Sequence, residues 1–170
     1  MDDRRRRFEQ LVLPHLDAAY NLARWLAATD ADDVVQDAML RAFRAFDGFR
    51  GADARPWLLA IVRNCHYTAA SRRAKRKIVP LPEGDELPTD APDPEASAIE
   101  ADEARRLNQA IKALPDEFRE ALVLREMENM SYRQIAEVTG APMGTVMSRL
   151  ARARSLLRES WRLEVKEAAR

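Results

Sequence analysis

The sequence has one cysteine, two histidines and five glycines in 170 residues, and only 6% of its residues are aromatic. The single thiol, Cys65, excludes an internal disulfide framework, and so few Cys and His side chains exclude a zinc site built from them. The scarcity of glycine argues against a β-sandwich or β-barrel. The longest apolar run, residues 57–62, is too short to span a bilayer, and no apolar secretion signal follows the basic N-terminus. These absences favour an all-α cytoplasmic protein without a cofactor.

The formal net charge of zero conceals three segments of opposite sign. Residues 1–80 carry 15 Lys and Arg against 10 Asp and Glu (net +5), residues 81–104 carry nine acids and no base (net −9), and residues 105–170 carry 13 bases against nine acids (net +4). Residues 63–77 hold six basic side chains and no acidic one, and residues 149–158 hold four and none. Such clusters bind nucleic acid by releasing counterions, although a solvated helix face carries the same charges.

The acidic segment also divides the chain. Five of the nine prolines lie within residues 80–94. Proline lacks the backbone N–H and fixes φ, so neither a helix nor a central strand continues through these residues. The sequence therefore predicts two small helical domains, residues 1–78 and 97–170, joined by a hydrated, acidic, proline-rich linker over residues 79–96.

Apolar residues at spacings of three and four predict three helices in the N-terminal domain. One stripe runs from Phe8 to Leu26, and the next helix begins after Asp30 as its expected N-cap. The two glycines within residues 47–53 predict a loop, and Pro56 fits the first turn of a third helix. The side chains of that helix expected to face inward are Trp57, Leu58, Ile61, Val62 and Cys65, while those expected on or near the opposite side are Arg63, Asn64 and Tyr67.

A helix-turn-helix is predicted in the C-terminal domain. Ser131 followed by Gln134 matches a capping box and starts a short helix. Residues 139–142, Thr-Gly-Ala-Pro, predict a turn, and a second, basic helix is expected over residues 145–158. In such a motif the second helix places its N-terminal side chains against base edges in the major groove. Since no acid lies near its arginines in the sequence, DNA binding is favoured over an ordinary helical hairpin.

Four segments, in this order, carry a resemblance to a known protein family. They are residues 30–39 (DADDVVQDAM), residues 49–64 with their FRG and WLLAIVRN segments, residues 114–119 (LPDEFR), and residues 131–154, which include SYRQIA and GTVMSRLARAR. The chain resembles the extracytoplasmic-function (ECF) sigma factors of the sigma-70 family over about residues 8–160. The resemblance implies a transcription initiation factor, and no enzyme, that directs RNA polymerase to promoters through their −10 and −35 elements.

The resemblance implies roles for three groups of side chains. Those expected to bind core polymerase are Asp33, Gln36, Asp37 and Arg41. Those expected to read and hold the melted −10 element are Phe49, Arg50, Gly51, Arg63, Asn64, Tyr67 and Arg72. Those expected at the −35 duplex are Ser148 and Arg152 on bases and Arg125, Tyr132, Thr145, Arg149 and Arg154 on phosphates.

The implied partners are core RNA polymerase, through its β′ clamp and β flap, promoter DNA and an anti-sigma factor, with no membrane insertion and no small-molecule substrate. Met147 stands where many family members carry Lys or Arg, which predicts weaker −35 binding or contact with thymine methyl groups. The main alternative is a stand-alone helix-turn-helix regulator, but the sequence shows neither a long apolar dimer seam nor a glycine-rich ligand loop. An enzyme is disfavoured because no nucleophile–base pair, phosphate-binding glycine loop or metal-ligand spacing is present.

Overall fold

Eight α-helices make up most of what the structure describes. It is a computed structural model, and it describes residues 2–76 and 98–168. The helices are α1 (Asp2–Leu11), α2 (Leu16–Ala27), α3 (Ala31–Ala45), α4 (Ala54–Arg76), α5 (Ala98–Lys112), α6 (Asp116–Leu122), α7 (Tyr132–Thr139) and α8 (Met143–Ala168). No strand occurs in these two ranges, so the predicted all-α class is confirmed there. The linker predicted over residues 79–96 lies outside the described residues.

The first predicted helix is divided in two. α1 ends at Leu11, and a short 3-10 turn, Leu13–His15, precedes α2. Pro14 lies in this turn, where its ring and its missing N–H oppose a continuous α-helix. The apolar stripe is confirmed in most of its positions, since Phe8 and Leu26 at its two ends are buried, but Leu11 within it is 39% exposed.

The inward face of α4 agrees with the predicted one. Leu58, Val62 and Cys65 are buried against α2 and α3, and Trp57 and Ile61 pack against the same core while remaining partly exposed. The opposite face is less exposed than predicted, because Asn64 is exposed but Arg63 and Tyr67 are only partly so, and Arg63 contacts α6 as described below.

Asp30 precedes α3, as predicted, but does not cap it. Its side chain makes no capping hydrogen bond and forms an ion pair with Arg73 near the C-terminal end of α4. Asp32 and Asp33 supply the negative charge in the first turn of α3, where the helix dipole favours it. Asp30 therefore joins the start of α3 to the basic end of α4.

Cys65 is expected to resist alkylation in the native protein. Burial, with the neighbouring Asp37 charge as a smaller cause, raises the pKa of its thiol from 9.0 to about 11. At pH 8 the reactive thiolate is therefore about 100-fold scarcer than for an unburied cysteine. Iodoacetamide labelling followed by mass spectrometry should be at least about 100-fold slower without denaturant than with it. Equal rates in the two conditions would contradict the placement of Cys65 in the core.

The C-terminal helices begin and end at locally encoded positions. The predicted capping box is present, since Gln134 N donates to Ser131 Oγ (3.1 Å) and Ser131 N donates to Gln134 Oε1 (2.9 Å). Gly140 ends α7 at φ +69°, a conformation that glycine adopts without strain. α8 is longer than predicted, from Met143 to Ala168, because neither proline nor glycine follows Gly144 in the sequence. Neither α8 nor any other helix of the described ranges has the length and apolar character needed to cross a membrane.

The N-terminal and C-terminal helices pack directly against each other. α4 lies against α7, and α2 lies against α6. Trp25 of α2 contacts an apolar cluster of the C-terminal helices that comprises Ile111, Leu114, Leu122 and Ala153. A second cluster joins the buried side chains of α2, α3 and α4 to Leu124, Met130 and Ile135. The hydrophobic core is therefore continuous between the two predicted domains.

Candidate nucleic-acid and protein interfaces

The outer face of α3 carries the four side chains predicted to bind polymerase. Asp33, Gln36 and Arg41 are exposed, and Asp37 is half-buried beside them. Arg41 Nη2 lies 3.0 Å from Asp37 Oδ2, and its Nε donates to Oδ1 at 3.1 Å. The hydrogen bond from Arg41 is the main cause that lowers the pKa of Asp37, so this face stays charged at neutral pH.

Leu40 lies on the same face and was missed by the sequence analysis. It is 54% exposed, and it follows Gln36 by one helical turn, so the two side chains are neighbours. Phe43, three residues further along α3 and therefore a neighbour of Leu40, is also 37% exposed. Exposed apolar side chains that form a patch rimmed by charged groups are typical of a protein-binding surface. The sequence evidence for it was available, because Leu40 is an apolar residue that falls outside the apolar stripe of α3.

The loop between α3 and α4 holds Phe49, Arg50 and Gly51. Phe49 packs against Trp57, with the two rings tilted by 40° and their centroids 4.9 Å apart. A Cβ on Gly51 would lie 2.8 Å from Phe49 Cε2, so a larger residue there would displace the ring. Arg50 donates to the carbonyl oxygens of Asp47 (2.5 Å) and Phe49 (3.1 Å), which fixes the bend of the loop.

A pocket of about 390 Å³ opens beside this loop. Its walls include Phe49, Gly51 and Trp57, and Glu137 of α7 forms part of its border. Aromatic walls of this kind suit a nucleobase turned out of its stack. The sequence analysis assigned the loop to DNA but did not foresee an acidic side chain from the C-terminal helices at its edge.

Three of the predicted −10 side chains line one groove on α4. Asn64, Tyr67 and Arg72 border a cavity of about 460 Å³ together with Thr68, Ser71 and Lys75, which the sequence analysis did not select. Asn64 is exposed and offers both a donor and an acceptor, while Arg72 and Lys75 supply positive charge. The groove therefore combines hydrogen-bonding and cationic groups in the way a single strand of nucleic acid requires.

Arg63 does not lie free on the outer side of α4. Its Nε donates to Glu120 Oε1 of α6, and its guanidinium lies over the ring of Tyr67, 4.7 Å from the ring centroid. Burial raises the pKa of Tyr67 to about 12. Glu120 is fully buried, and burial raises the pKa of its carboxyl although the Arg63 charge opposes that shift. The predicted −10 contact Arg63 is thus engaged by the C-terminal helices in this structure.

The first turns of α8 present Ser148 and Arg152 to solvent. The Ser148 hydroxyl donates to the carbonyl oxygen of Thr145 (3.0 Å) and retains its acceptor capacity. Thr145 is half-buried on the same turn. These are the positions from which a recognition helix contacts base edges.

The sequence predicts no acidic neighbour for the arginines of α8, and the structure shows that this prediction is wrong for two of them. Arg149 lies 3.4 Å from Glu117, and Arg154 donates to Glu126 at 2.8 Å. Both acids are distant in sequence and are brought close by the packing of α8 on α6 and the segment that follows it. Of the two ion-paired arginines, Arg149 is the less exposed.

Arg125 and Tyr132, predicted to hold phosphates, lie on either side of the turn before α7. Arg125 Nη1 donates to the carbonyl oxygen of Met130 (2.7 Å), and its guanidinium lies 5.0 Å from the centroid of the Tyr132 ring. Arg125 belongs to a π-helical turn, Val123–Met127, that continues α6. Both side chains therefore help to shape the helix-turn-helix.

Comparisons with known proteins match both halves of this architecture. Residues 11–76 match the family described as Sigma-70 region 2, and residues 104–157 match Sigma-70, region 4. The RNA polymerase sigma-H factor of Pseudomonas aeruginosa is 37% identical over 83% of this chain and 78% of its own length. The ECF sigma factor SigE of Mycolicibacterium smegmatis is 34% identical over 89% of this chain, which spans 60% of that relative.

Among solved structures, the sigma factor RpoE of Bartonella quintana, crystallised with the anti-sigma factor NepR, has a TM-score of 0.76. It is 27% identical, and the likeness covers 91% of this chain and 96% of that one. A region 2 helical bundle followed by a region 4 helix-turn-helix defines a transcription initiation factor of the sigma-70 class. The chain belongs to the ECF RNA polymerase sigma factors.

Proposed function

We propose that this chain binds core RNA polymerase through the outer face of α3, reads the −10 element with α4 and the loop before it, and reads the −35 element with α8. The observation that carries the proposal is the exposure of Ser148 and Arg152 at the start of a basic helix that follows a capping-box helix and a glycine turn. The proposed units are region 2 (residues 1–78), an acidic linker (79–96) and region 4 (97–170).

At the −10 element the pocket beside Phe49 and Trp57 receives a base turned out of the non-template strand. The Asn64 amide contacts a base edge through its donor and acceptor, while Arg72 holds the backbone. Arg63 takes a second phosphate once it is released from Glu120. Arg50 and Gly51 act through the loop, because the first fixes its bend and the second leaves room for the Phe49 ring.

At the −35 element α8 enters the major groove. Ser148 and Arg152 contact base edges, and Thr145, Arg149 and Arg154 contact phosphates on either side. Arg149 and Arg154 exchange Glu117 and Glu126 for phosphate in this process. Arg125 and Tyr132 support the turn that orients α8 towards the duplex. They also contact phosphates at the edge of this interface.

The remaining partners follow from this assignment. Asp33, Gln36, Asp37 and Arg41 face the β′ clamp, and region 4 meets the β flap. The acidic linker enters a basic channel of the polymerase, and an anti-sigma factor covers these surfaces, as NepR accompanies the RpoE relative. The chain acts in the cytoplasm with the polymerase, and it acts by binding, without catalysis of its own.

Run-off transcription from a promoter library, with purified core polymerase in the presence and absence of this chain, tests the proposal. Addition of the chain is expected to select a set of start sites that share −10 and −35 sequences. Footprints on DNA from the chain alone, with no change in start sites when polymerase is added, would instead indicate a stand-alone regulator.

Met147→Arg is expected to strengthen −35 binding. Met147 is 47% exposed, next to Ser148, so an arginine there reaches a phosphate without disturbing the core. One added phosphate contact gives a gain of about fivefold to tenfold at low salt and a steeper salt dependence. Fluorescence anisotropy with −35 duplex measures both quantities. The matched control is Leu163→Arg, which adds the same charge about 24 Å further along α8, and equal gains in the two variants would contradict a local contact.

A further inference from the structure

A second cavity, of about 580 Å³, adjoins the pocket of Phe49 and Trp57. The two share the wall formed by residues 49–51 of the loop before α4. The other walls of the larger cavity come from α1 and from the 3-10 turn Phe46–Gly48, and every described residue that lines it falls within residues 3–51. The cavity is therefore built by the N-terminal half of the chain, and it brings side chains of α1 to the loop proposed to face the −10 strand.

Three arginines line this cavity, two from α1 and one from the loop. Arg4 and Arg7 are three residues apart on α1 and so lie on one face of that helix, and Arg50 belongs to the loop. Two aspartates, Asp3 and Asp47, line it as well, so the formal charge of the lining is +1. Because Asp47 is paired with Arg4, the charge offered to a ligand comes from Arg7 and Arg50 and is opposed by Asp3.

Arg4 fixes α1 in place at the edge of the cavity. Its Nη2 donates to the carbonyl oxygen of Phe43 at 2.6 Å, and its Nε lies 3.0 Å from Asp47 Oδ1. Its guanidinium also lies over the Phe43 ring, 4.6 Å from the ring centroid. These contacts join the start of α1 to the end of α3 and to the turn that follows it. The position of Arg7, one turn further along α1, is thereby fixed relative to the loop.

Arg7 and Arg50 retain the hydrogen-bonding capacity that an anion requires. Arg7 is exposed, and its guanidinium lies 5.9 Å from the centroid of the Phe46 ring, a contact that uses none of its five N–H donors. Arg50 bonds to the carbonyl oxygens of Asp47 and Phe49 from Nη1 alone, so these bonds use two of its five donors. A guanidinium supported by a ring presents a planar fork that matches the oxygens of a phosphate.

We infer that Arg7 and Arg50 form a binding site for the phosphodiester group next to the flipped base, so that α1 takes part in holding the single strand. Because the two cavities share residues 49–51, a strand whose base enters the aromatic pocket carries the adjoining phosphate across this wall. The site recognises backbone charge and not base identity, since a contact to phosphate reads no base edge. The identity of the strand as the −10 element rests on the proposed function, whereas binding of single-stranded DNA at Arg7 is a property of the chain alone.

The experiment measures binding of a fluorescein-labelled single-stranded thymidine oligonucleotide to the full chain by anisotropy over a range of salt concentrations. At about 0.1 M salt, Arg7→Gln is expected to lower the affinity about fivefold and to reduce the salt slope by about 0.7, as the loss of one phosphate contact on a single strand requires. The matched control is Arg5→Gln, which removes the same charge on the opposite side of α1, where Arg5 pairs with Glu9. Its affinity is expected to stay within about twofold of the starting chain.

Asp3→Asn is expected to have the opposite effect and to tighten binding about twofold, because it removes the acid that opposes Arg7 in the cavity. Glu9→Gln removes the same charge outside the cavity and is the control for it. The gain keeps the test decisive if Arg7→Gln is poorly folded, since a gain cannot come from loss of structure. Equal losses for Arg7→Gln and Arg5→Gln, or equal gains for Asp3→Asn and Glu9→Gln, would overturn the inference.

Two further arms identify the ligand. A cytidine oligonucleotide is expected to lose the same factor through Arg7→Gln as the thymidine one, and a loss that depends on the base would overturn the assignment to phosphate. Complete displacement of the oligonucleotide by inorganic phosphate at constant ionic strength would indicate a small-anion site and overturn the assignment to a strand.

Failure of this inference is distinguishable from failure of the proposed function. If the site is absent, Arg7→Gln leaves oligonucleotide binding unchanged while the chain still selects start sites in run-off transcription. If the proposed function is wrong, start-site selection is absent while the loss of oligonucleotide binding through Arg7→Gln persists.

Discussion

Arg152→Glu is expected to lower the affinity for −35 duplex DNA about 100-fold and to leave core polymerase binding unchanged. The side chain is exposed on the first turns of α8, so the substitution does not disturb the core. It removes a base contact worth about 1–3 kcal/mol and places a negative charge against the DNA. Anisotropy with −35 duplex and a pull-down with core polymerase measure the two effects separately.

The control for Arg152→Glu is Arg105→Glu on α5, which changes the net charge by the same amount on a different helix. Arg149→Glu is a less clean test, because Arg149 is largely buried beside Glu117 and its reversal would also create a repulsion within the protein. Equal losses for Arg152→Glu and Arg105→Glu would show that α8 contributes only general positive charge. Unchanged affinity of Arg152→Glu for −35 duplex DNA would contradict the proposed role of α8 in reading the −35 element.

Leu40→Asp is expected to weaken binding of core polymerase about 100-fold. Leu40 is the most exposed large apolar side chain on the charged face of α3, so the folded state tolerates a polar replacement. In the proposed complex with polymerase the same position becomes buried, and the loss of an apolar contact together with a buried charge is expected to cost about 2–4 kcal/mol. Titration of fluorescently labelled core polymerase with each variant measures the change.

Leu163→Asp provides the comparison for Leu40→Asp, because Leu163 is equally apolar and similarly exposed but lies at the far end of α8. Its affinity for core polymerase is expected to stay within about twofold of the starting chain. Binding of −35 duplex should be unaffected by Leu40→Asp. If Leu40→Asp bound core polymerase normally, the outer face of α3 would have to be abandoned as the docking surface.

Features encoded by a few neighbouring residues could be predicted from the sequence. The capping box at Ser131 and the glycine turn at Gly140 depend on contacts within four residues, so their patterns determine their geometry. The charged face of α3 was also predictable, because helical periodicity alone separates it from the core. In contrast, the predicted end of α8 is ten residues too early, because a run of exposed polar residues is compatible with either a helix or a loop.

Contacts between distant segments could not be predicted in the same way. Arg63 and Glu120 are 57 residues apart, and Arg55 and Glu128 are 73 apart. Nothing in either local pattern identifies the partner, because Glu120 lies in a segment predicted as an ordinary amphipathic helix and Glu128 lies in the connection that precedes α7. The pairing of Asp30 with Arg73 was missed for the same reason, and the more local expectation of an N-cap took its place.

A chain of aromatic rings extends from α1 to the loop before α4. Phe8 meets Phe43 and Phe46 edge-on at 5.1 and 5.3 Å, and Phe46 in turn stacks on Phe49 at 6.3 Å. Phe43 lies beside the surface proposed to face the polymerase, and Phe49 lies in the loop proposed to face the promoter. Because protein interiors are close-packed, we expect a displacement of one ring to shift its neighbours, and we therefore expect polymerase docking and base selection to be coupled through this row. We therefore expect substitutions that change promoter preference without changing polymerase docking to lie outside this row.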